Sequence, residues 1–269
     1  MAYGNIASNK NGKLYAGDSS NSPIGMLDER TYNQVGNPNL LDNSDFTNPV
    51  NQRGAGSYGG AGIYSIDRWK LWGGYNVDSH TLTFQSANAV SVAGLNACLL
   101  MQREAGISVG EMLTLSASVN STVYKKAITI TGGETAYNMG AFYFICGYNS
   151  DSAFFEIAIT SGSISIEWIK VEKGKVTTPY VAKDYSVEIV SCLRCYWKSA
   201  MPVNIYKTTA GDYFRNTVYF PVPMRITPTV NILNKTGNAS VNRITVDSVK
   251  FDGKGGNDVV DAFEVSADF

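Results

Sequence analysis

The sequence predicts an all-β protein: a jelly-roll β-sandwich over residues 38–182, a linking helix over 183–198, and a smaller C-terminal β domain over 199–269, preceded by an extended arm at 1–37. Three observations carry this reading. Apolar residues recur with a period of two along much of the chain, as in Leu113, Leu115, Ala117 and Val119 with Thr114, Ser116 and Ser118 between them. Charged residues make up only 17% of the chain while hydrophobic residues reach 44%, so polarity resides in Asn, Ser, Thr and Gly, the residues of β-turns. A single segment, 184–197, has a helical period instead.

Residues 1–37 hold scattered Gly, Asn and Ser with few apolar positions. They lack the apolar surface for a core and read as an arm ordered by a partner, by other copies or by the next domain. From residue 38 the alternation begins, at Leu82/Phe84, Ile128/Ile130, Phe155/Ile157/Ile159 and Ile164/Ile166/Trp168. After Trp168 the phase changes, with Ile169 and Val171 apolar, which signals a bulge or a strand covered on both faces. The run 141–146 is apolar throughout, as in a central sandwich strand.

In 184–197, Ile189, Cys192, Leu193 and Tyr196 follow i, i+3, i+4, i+7, and Asp184 or Ser186 can cap the N-terminus. This is an amphipathic helix whose stripe needs a partner, either the sandwich or the same helix of another subunit. The remaining residues return to β at Val218/Phe220/Val222, Val230/Ile232, Ile244/Val246 and Phe263/Val265/Ala267/Phe269, with Pro221, Pro223 and Pro228 confining these stretches to edges, bulges or strand starts. So thin a set of apolar positions makes a marginal domain, for which oligomerisation is the usual remedy.

Charge excludes one class of partner. Lys and Arg number 22 against 23 Asp and Glu, so the cationic surplus needed for binding nucleic acid through phosphates is missing. No apolar run reaches the length of a membrane span and no signal peptide is readable, so no membrane insertion is expected and synthesis is expected in a reducing cytoplasm. The single histidine, His80, lies where a turn enters a strand, and multi-histidine metal sites are ruled out. Cys98, Cys146, Cys192 and Cys195 form no disulfide framework. The C-x-x-C at 192–195 lacks both a second zinc-ligand pair and the βαβ setting of a redox site, so all four read as small buried side chains.

The stretch Gly54 to Gly59 is a literal G-x-G-x-x-G. No strand precedes it and no helix follows, so there is no helix N-terminus to hold a pyrophosphate, and it reads as a flexible glycine loop. Carboxylates at Asp42/Asp45, Asp67, Asp151/Glu156 and Glu167/Glu172 have no spacing that marks a glycosidase pair. No internal repeat builds a β-helix cleft, and the expectation is no enzymatic activity and no cofactor. Asp42 with Asp45, or Asp252 with Asp258, are the oxygen donors a structural calcium ion would use, without EF-hand spacing. Among the rings, Tyr58, Trp72 and Tyr75 lie in or beside glycine-rich loops, where an aromatic face can stack on a sugar. Trp69 reads as core, and Arg53, Asp67 and Arg68 as a buried, hydrogen-bonded ion-pair motif beside it.

Several stretches in order carry a resemblance. Asn39-Leu40-Leu41-Asp42-Asn43-Ser44-Asp45-Phe46, Asn51-Gln52-Arg53-Gly54 and Asp67-Arg68-Trp69 are followed by Glu172-Lys173-Gly174 with Thr178-Pro179-Tyr180, then by Tyr185 to Tyr196. The last is Phe220-Pro221-Val222-Pro223-Met224-Arg225-Ile226-Thr227-Pro228-Thr229-Val230. Together they make residues 38–269 resemble a family of bacteriophage and prophage tail-fibre or receptor-binding proteins. The resemblance implies a jelly roll similar to carbohydrate-binding modules, a homotrimer, a place on the virion reached through the N-terminal arm, and contact with a host-surface glycan. The alternative is a purely structural virion protein, a fibre adaptor or head decoration, that makes only protein contacts.

Overall fold

A computed structural model describes residues 6–10, 13–17, 23–26, 38–60, 62–73, 81–85, 89–93, 98–104, 106–149, 152–159, 162–199, 201–206, 214–253 and 257–268. The protein is all-β, with one α-helix among these residues. The first strands, β1 (Ile6–Lys10), β2 (Lys13–Gly17) and β3 (Pro23–Met26), form a small antiparallel sheet. The N-terminal region is therefore not simply an extended arm. The sequence between β1 and β2 is Asn11-Gly12, a dipeptide suited to two-residue hairpins.

Two six-stranded antiparallel sheets form the sandwich. In order across the first lie β11 (Thr122–Thr129), β10 (Met112–Val119), β15 (Ser163–Lys173), β8 (Ala89–Ala93), β7 (Thr81–Gln85) and β4 (Ser57–Gly59). Across the second lie β12 (Thr135–Asn138), β13 (Tyr143–Asn149), β14 (Ser152–Ile159), β9 (Cys98–Glu104), β6 (Lys70–Gly73) and β5 (Ile63–Tyr64). The pairs β8–β15 and β9–β14 are nested in sequence and fall in opposite sheets, as in a rolled-up ribbon. β10, however, turns back on β11 in the same sheet instead of crossing over. Between the sheets lies one apolar core that includes Leu41, Phe46, Trp69, Leu71, Leu113, Leu115, Phe142, Phe155 and Ile166.

β10 departs from the half-buried strand that its alternation predicts, because Thr114, Ser116 and Ser118 are buried as well. The residues that follow β15 fold back across this face. Lys170, opposite Ser116, donates to the carbonyls of Thr178 (3.3 Å) and Pro179 (3.0 Å), and Glu172, opposite Thr114, accepts from the Thr178 amide at 2.8 Å. The phase change after Trp168 is a bulge. Ser118 pairs with Trp168 and Val119 with Ile166, so Glu167 is the extra residue.

The helix α1 (Tyr185–Leu193) is capped by Asp184, whose carboxylate accepts from the Ser186 amide at 2.8 Å. It is shorter than the predicted 183–198. After Arg194 the chain becomes β16 (Tyr196–Ser199), because Tyr196 to Ser199 pair with the last strand. Its buried face differs too: Glu188 and Cys192 point inward, Ile189 and Leu193 are half-buried, and Tyr185, Val187 and Val190 are exposed.

In the C-terminal region, β22 (Asn257–Ser266) is the central strand of one sheet. It pairs on one side with β16 and β17 (Val203–Tyr206), end to end, and on the other with β19 (Thr229–Thr236). A second sheet holds β18 (Phe214–Tyr219), β21 (Ser248–Gly253) and β20 (Ser240–Ile244). Their shared core, separate from the first, includes Val203, Ile205, Phe220, Met224, Phe251, Phe263 and Val265.

Candidate functional site

The residues of the sequence motifs meet at the junction of the two cores. Asn43 lies in a left-handed conformation (φ 51°). Its side-chain amide donates to the carbonyls of Val50 (2.9 Å) and Asp67 (2.7 Å) and accepts from the Val50 amide at 2.7 Å. Its own carbonyl accepts from the Trp69 indole N–H at 2.7 Å, and its amide donates to the Glu188 carboxylate of α1. Trp69 is buried, with its ring 5.2 Å from that of Phe46.

Arg53 bridges two carboxylates from opposite ends of the chain, Asp67 at 3.0 Å and Asp268 at 2.9 Å, both fully buried at the side chain. Its guanidinium lies 3.7 Å from the centre of the Tyr196 ring, the geometry of a cation–π contact. Gln52 donates to Asp67 at 2.7 Å and to the Tyr196 carbonyl at 2.8 Å. Arg68, also left-handed at φ 72°, is paired with Glu104 at 2.6 Å and lies 3.4 Å from Asp42. Lys183 joins Asp42 (3.1 Å) to Glu188 (3.4 Å). Arg225 reaches the same place, its Nε donating to the Ala267 carbonyl at 2.7 Å and its amide to the Arg194 carbonyl at 2.8 Å.

Burial sets the proton affinities here. Desolvation lifts Asp67 to about 6 against the pull of Arg53, and Glu104 to about 7 against that of Arg68. The same cause raises Asp268 and Glu188. Cys192 and Cys195 are free, buried and raised by desolvation, Cys195 to about 11, so neither thiol of the C-x-x-C carries the thiolate character of a redox or zinc site. Cys146 is likewise buried and pushed up to about 12.

The proposed calcium donors are engaged separately. Asp42 faces Arg68 and Lys183, Asp45 accepts from Thr47, Asp252 accepts from Arg215 and Asn242, and Asp258 accepts from the Asn238 amide at 2.8 Å. Among the described residues no group of three or more metal-ligating side chains occurs. Of the carboxylates considered for catalysis, Glu172 is tied to Lys170 at 3.0 Å and to Thr178, while Glu167 accepts from the Ser121 amide at 3.1 Å. Glu156 is buried in β14 and raised by desolvation to about 7.

Of the three rings expected to meet a sugar, Tyr58 is the one whose side chain lies among the described residues. Tyr58 sits in β4, so part of the glycine stretch is an edge strand paired with β7 rather than a loop. It is half-buried against the sandwich core, donates from its hydroxyl to Asn51, and accepts there from the Ala55 amide at 3.2 Å. Trp72 pairs through its backbone with Leu99 in β9, and its side chain lies outside the described residues, as do Tyr75 and His80.

A different concavity opens in the C-terminal region. A groove of about 640 Å³ lies between the edge formed by β16 and β17 and the edge strand β18. Its lining includes Trp197, Lys198, Asn204, Asn216, Val218 and Tyr219. The Trp197 ring is half-buried and held by edge contacts to Phe220 (5.8 Å) and Phe263 (5.4 Å), whereas Tyr219 is 73% exposed. Sequence reasoning did not single out this groove, because its residues sit in strands whose alternation reads as structure. The weak signal was Trp197, one position beyond the predicted helical stripe.

In comparisons with known proteins, no family model matches the chain and no curated protein matches it in sequence.

Proposed function

We propose that the chain is a non-enzymatic phage virion appendage protein, of tail-fibre or receptor-binding type, that recognises a saccharide on the host surface. One observation carries the reading. Residues that bear the family resemblance, spread from Asn43 through Arg53, Asp67, Arg68 and Glu188 to Tyr196 and Arg225, converge on one buried junction. Short motifs matched by accident would have no reason to meet in space. Their convergence supports a resemblance that spans the sandwich and the C-terminal region as a unit. The low charge and abundant Asn, Ser and aromatic residues suit a neutral, hydrogen-bonding surface for sugars. A homotrimer anchored to the particle through residues 1–37 would turn weak single contacts into avidity.

A second reading, a fibre adaptor or head decoration making only protein contacts, draws support from α1, whose Tyr185, Val187 and Val190 are exposed. A glycan array combined with whole-cell binding separates the two. Binding to host cells or their polysaccharides is expected, and no binding to either would defeat the receptor reading.

A further inference from the structure

Resting on that reading, we infer that the saccharide site is the groove between β16–β17 and β18, and that it takes a sugar unit bearing an acidic group. The groove's volume of about 640 Å³ falls within the ~300–1,000 Å³ usual for small-ligand pockets. Tyr219 stands at its rim with its ring largely free, a face on which the C–H side of a sugar can stack. Trp197 forms a wall that its contacts with Phe220 and Phe263 hold in place before any ligand arrives, which lowers the ordering cost of binding.

Polar chemistry on the lining matches a carbohydrate. Asn204 and Asn216 are exposed amides, each offering a donor and an acceptor to hydroxyls. The Asn204 side chain has no hydrogen bond among the described residues, and Asn216 uses only its Nδ2, on the Asn204 carbonyl at 3.1 Å. Among the described residues Lys198 is the one charged side chain of the lining, is exposed, and has no ion-pair partner. Among the described residues no carboxylate lines the groove, and Glu264, opposite Lys198 on β22, is engaged by Tyr196 and Asn231. The Lys198 charge therefore favours a carboxylate or similar acid on the ligand.

The same geometry argues against a strand of another chain as the occupant. An incoming strand needs a free row of backbone groups along an edge. On β17 the Asn204 carbonyl is already taken by Asn216. A saccharide needs no such ladder.

The test uses the full chain on an array of bacterial surface saccharides that includes uronic-acid, sialic-acid and neutral members. Tyr219→Ala and Lys198→Met are compared with wild type, and Tyr58→Phe serves as the control at the sequence-predicted platform. Tyr219 and Lys198 are exposed and Tyr58 is half-buried, and unchanged thermal melting verifies that each variant folds. Wild type is expected to bind an acidic member. Tyr219→Ala should weaken that binding at least about tenfold, Lys198→Met should weaken it and reduce its salt dependence, and Tyr58→Phe should leave it unchanged. If wild type binds but Tyr219→Ala and Lys198→Met bind equally well, the site lies elsewhere and the receptor reading survives. If wild type binds no saccharide and no host cell, the receptor reading itself falls. Salt-independent binding to neutral members alone overturns the acidic specificity, and self-association abolished by Tyr219→Ala would assign the groove to a second copy.

Discussion

Arg53 holds two buried carboxylates that would otherwise face each other, Asp67 from the entry of β6 and Asp268 from the end of β22. Removing one partner of such a group leaves uncompensated buried charge, which costs about 3–5 kcal/mol. Arg53→Ala should destabilise the protein by that order in chemical denaturation. Arg53→Lys should recover little, because an ammonium cannot bridge two carboxylates as a planar fork does. Glu156 makes the opposite case, a buried carboxyl raised to about 7 by desolvation. The sign follows from its raised folded-state pKa. The unfolded chain ionises near the ordinary glutamate value while the folded one still holds its proton, so stability is lost as pH rises from about 4.5 to about 7. Asp67 at about 6 and Glu104 at about 7 act in the same direction. The melting temperature should be higher at pH 5 than at pH 8, and Glu156→Gln should flatten the difference and stabilise at pH 8 by ~1–3 kcal/mol. A melting temperature that rises steadily from pH 5 to pH 8 would contradict these assignments.

At the scale of elements, the turn after β19 shows how tightly the second core is drawn. Gly237 has φ +77°, and a Cβ there would lie 2.0 Å from the Asp258 carboxylate oxygen that accepts from Asn238. Gly237→Ala is expected to destabilise by more than ~1 kcal/mol, measured by thermal unfolding, with both backbone strain and the clash contributing. The sequence made the strands with regular alternation legible, and it marked the phase change after Trp168 while leaving open a bulge or a strand covered on both faces; the structure has the bulge at Glu167 and buries Ile169 to Glu172 on both faces. The sequence could not reveal that β10 is covered on both faces. The covering residues near Thr178 and Pro179 have no period and act through hydrogen bonds to Lys170 and Glu172. In α1 the apolar stripe pointed to Ile189 and Leu193, yet Glu188 turned inward because the Asn43 amide and Lys183 receive its carboxylate. The ion-pair motif at Arg53, Asp67 and Arg68 was readable as chemistry. Asp268 and Tyr196, its partners at the other end of the chain, were not, since nothing local marks a contact across so much sequence.

Across the whole molecule, two separate apolar cores are joined by hydrogen bonds and ion pairs at the junction. If the junction is the link, wild type should unfold in one calorimetric transition and Arg53→Ala in two. On the proposed receptor function, the chain makes the particle's contact with host saccharide. Adsorption to host cells is compared for particles carrying the chain and otherwise identical particles lacking it, with soluble host polysaccharide as competitor. Loss of the chain is expected to reduce adsorption, and the polysaccharide to compete only when the chain is present. Normal adsorption by particles lacking the chain would contradict that function.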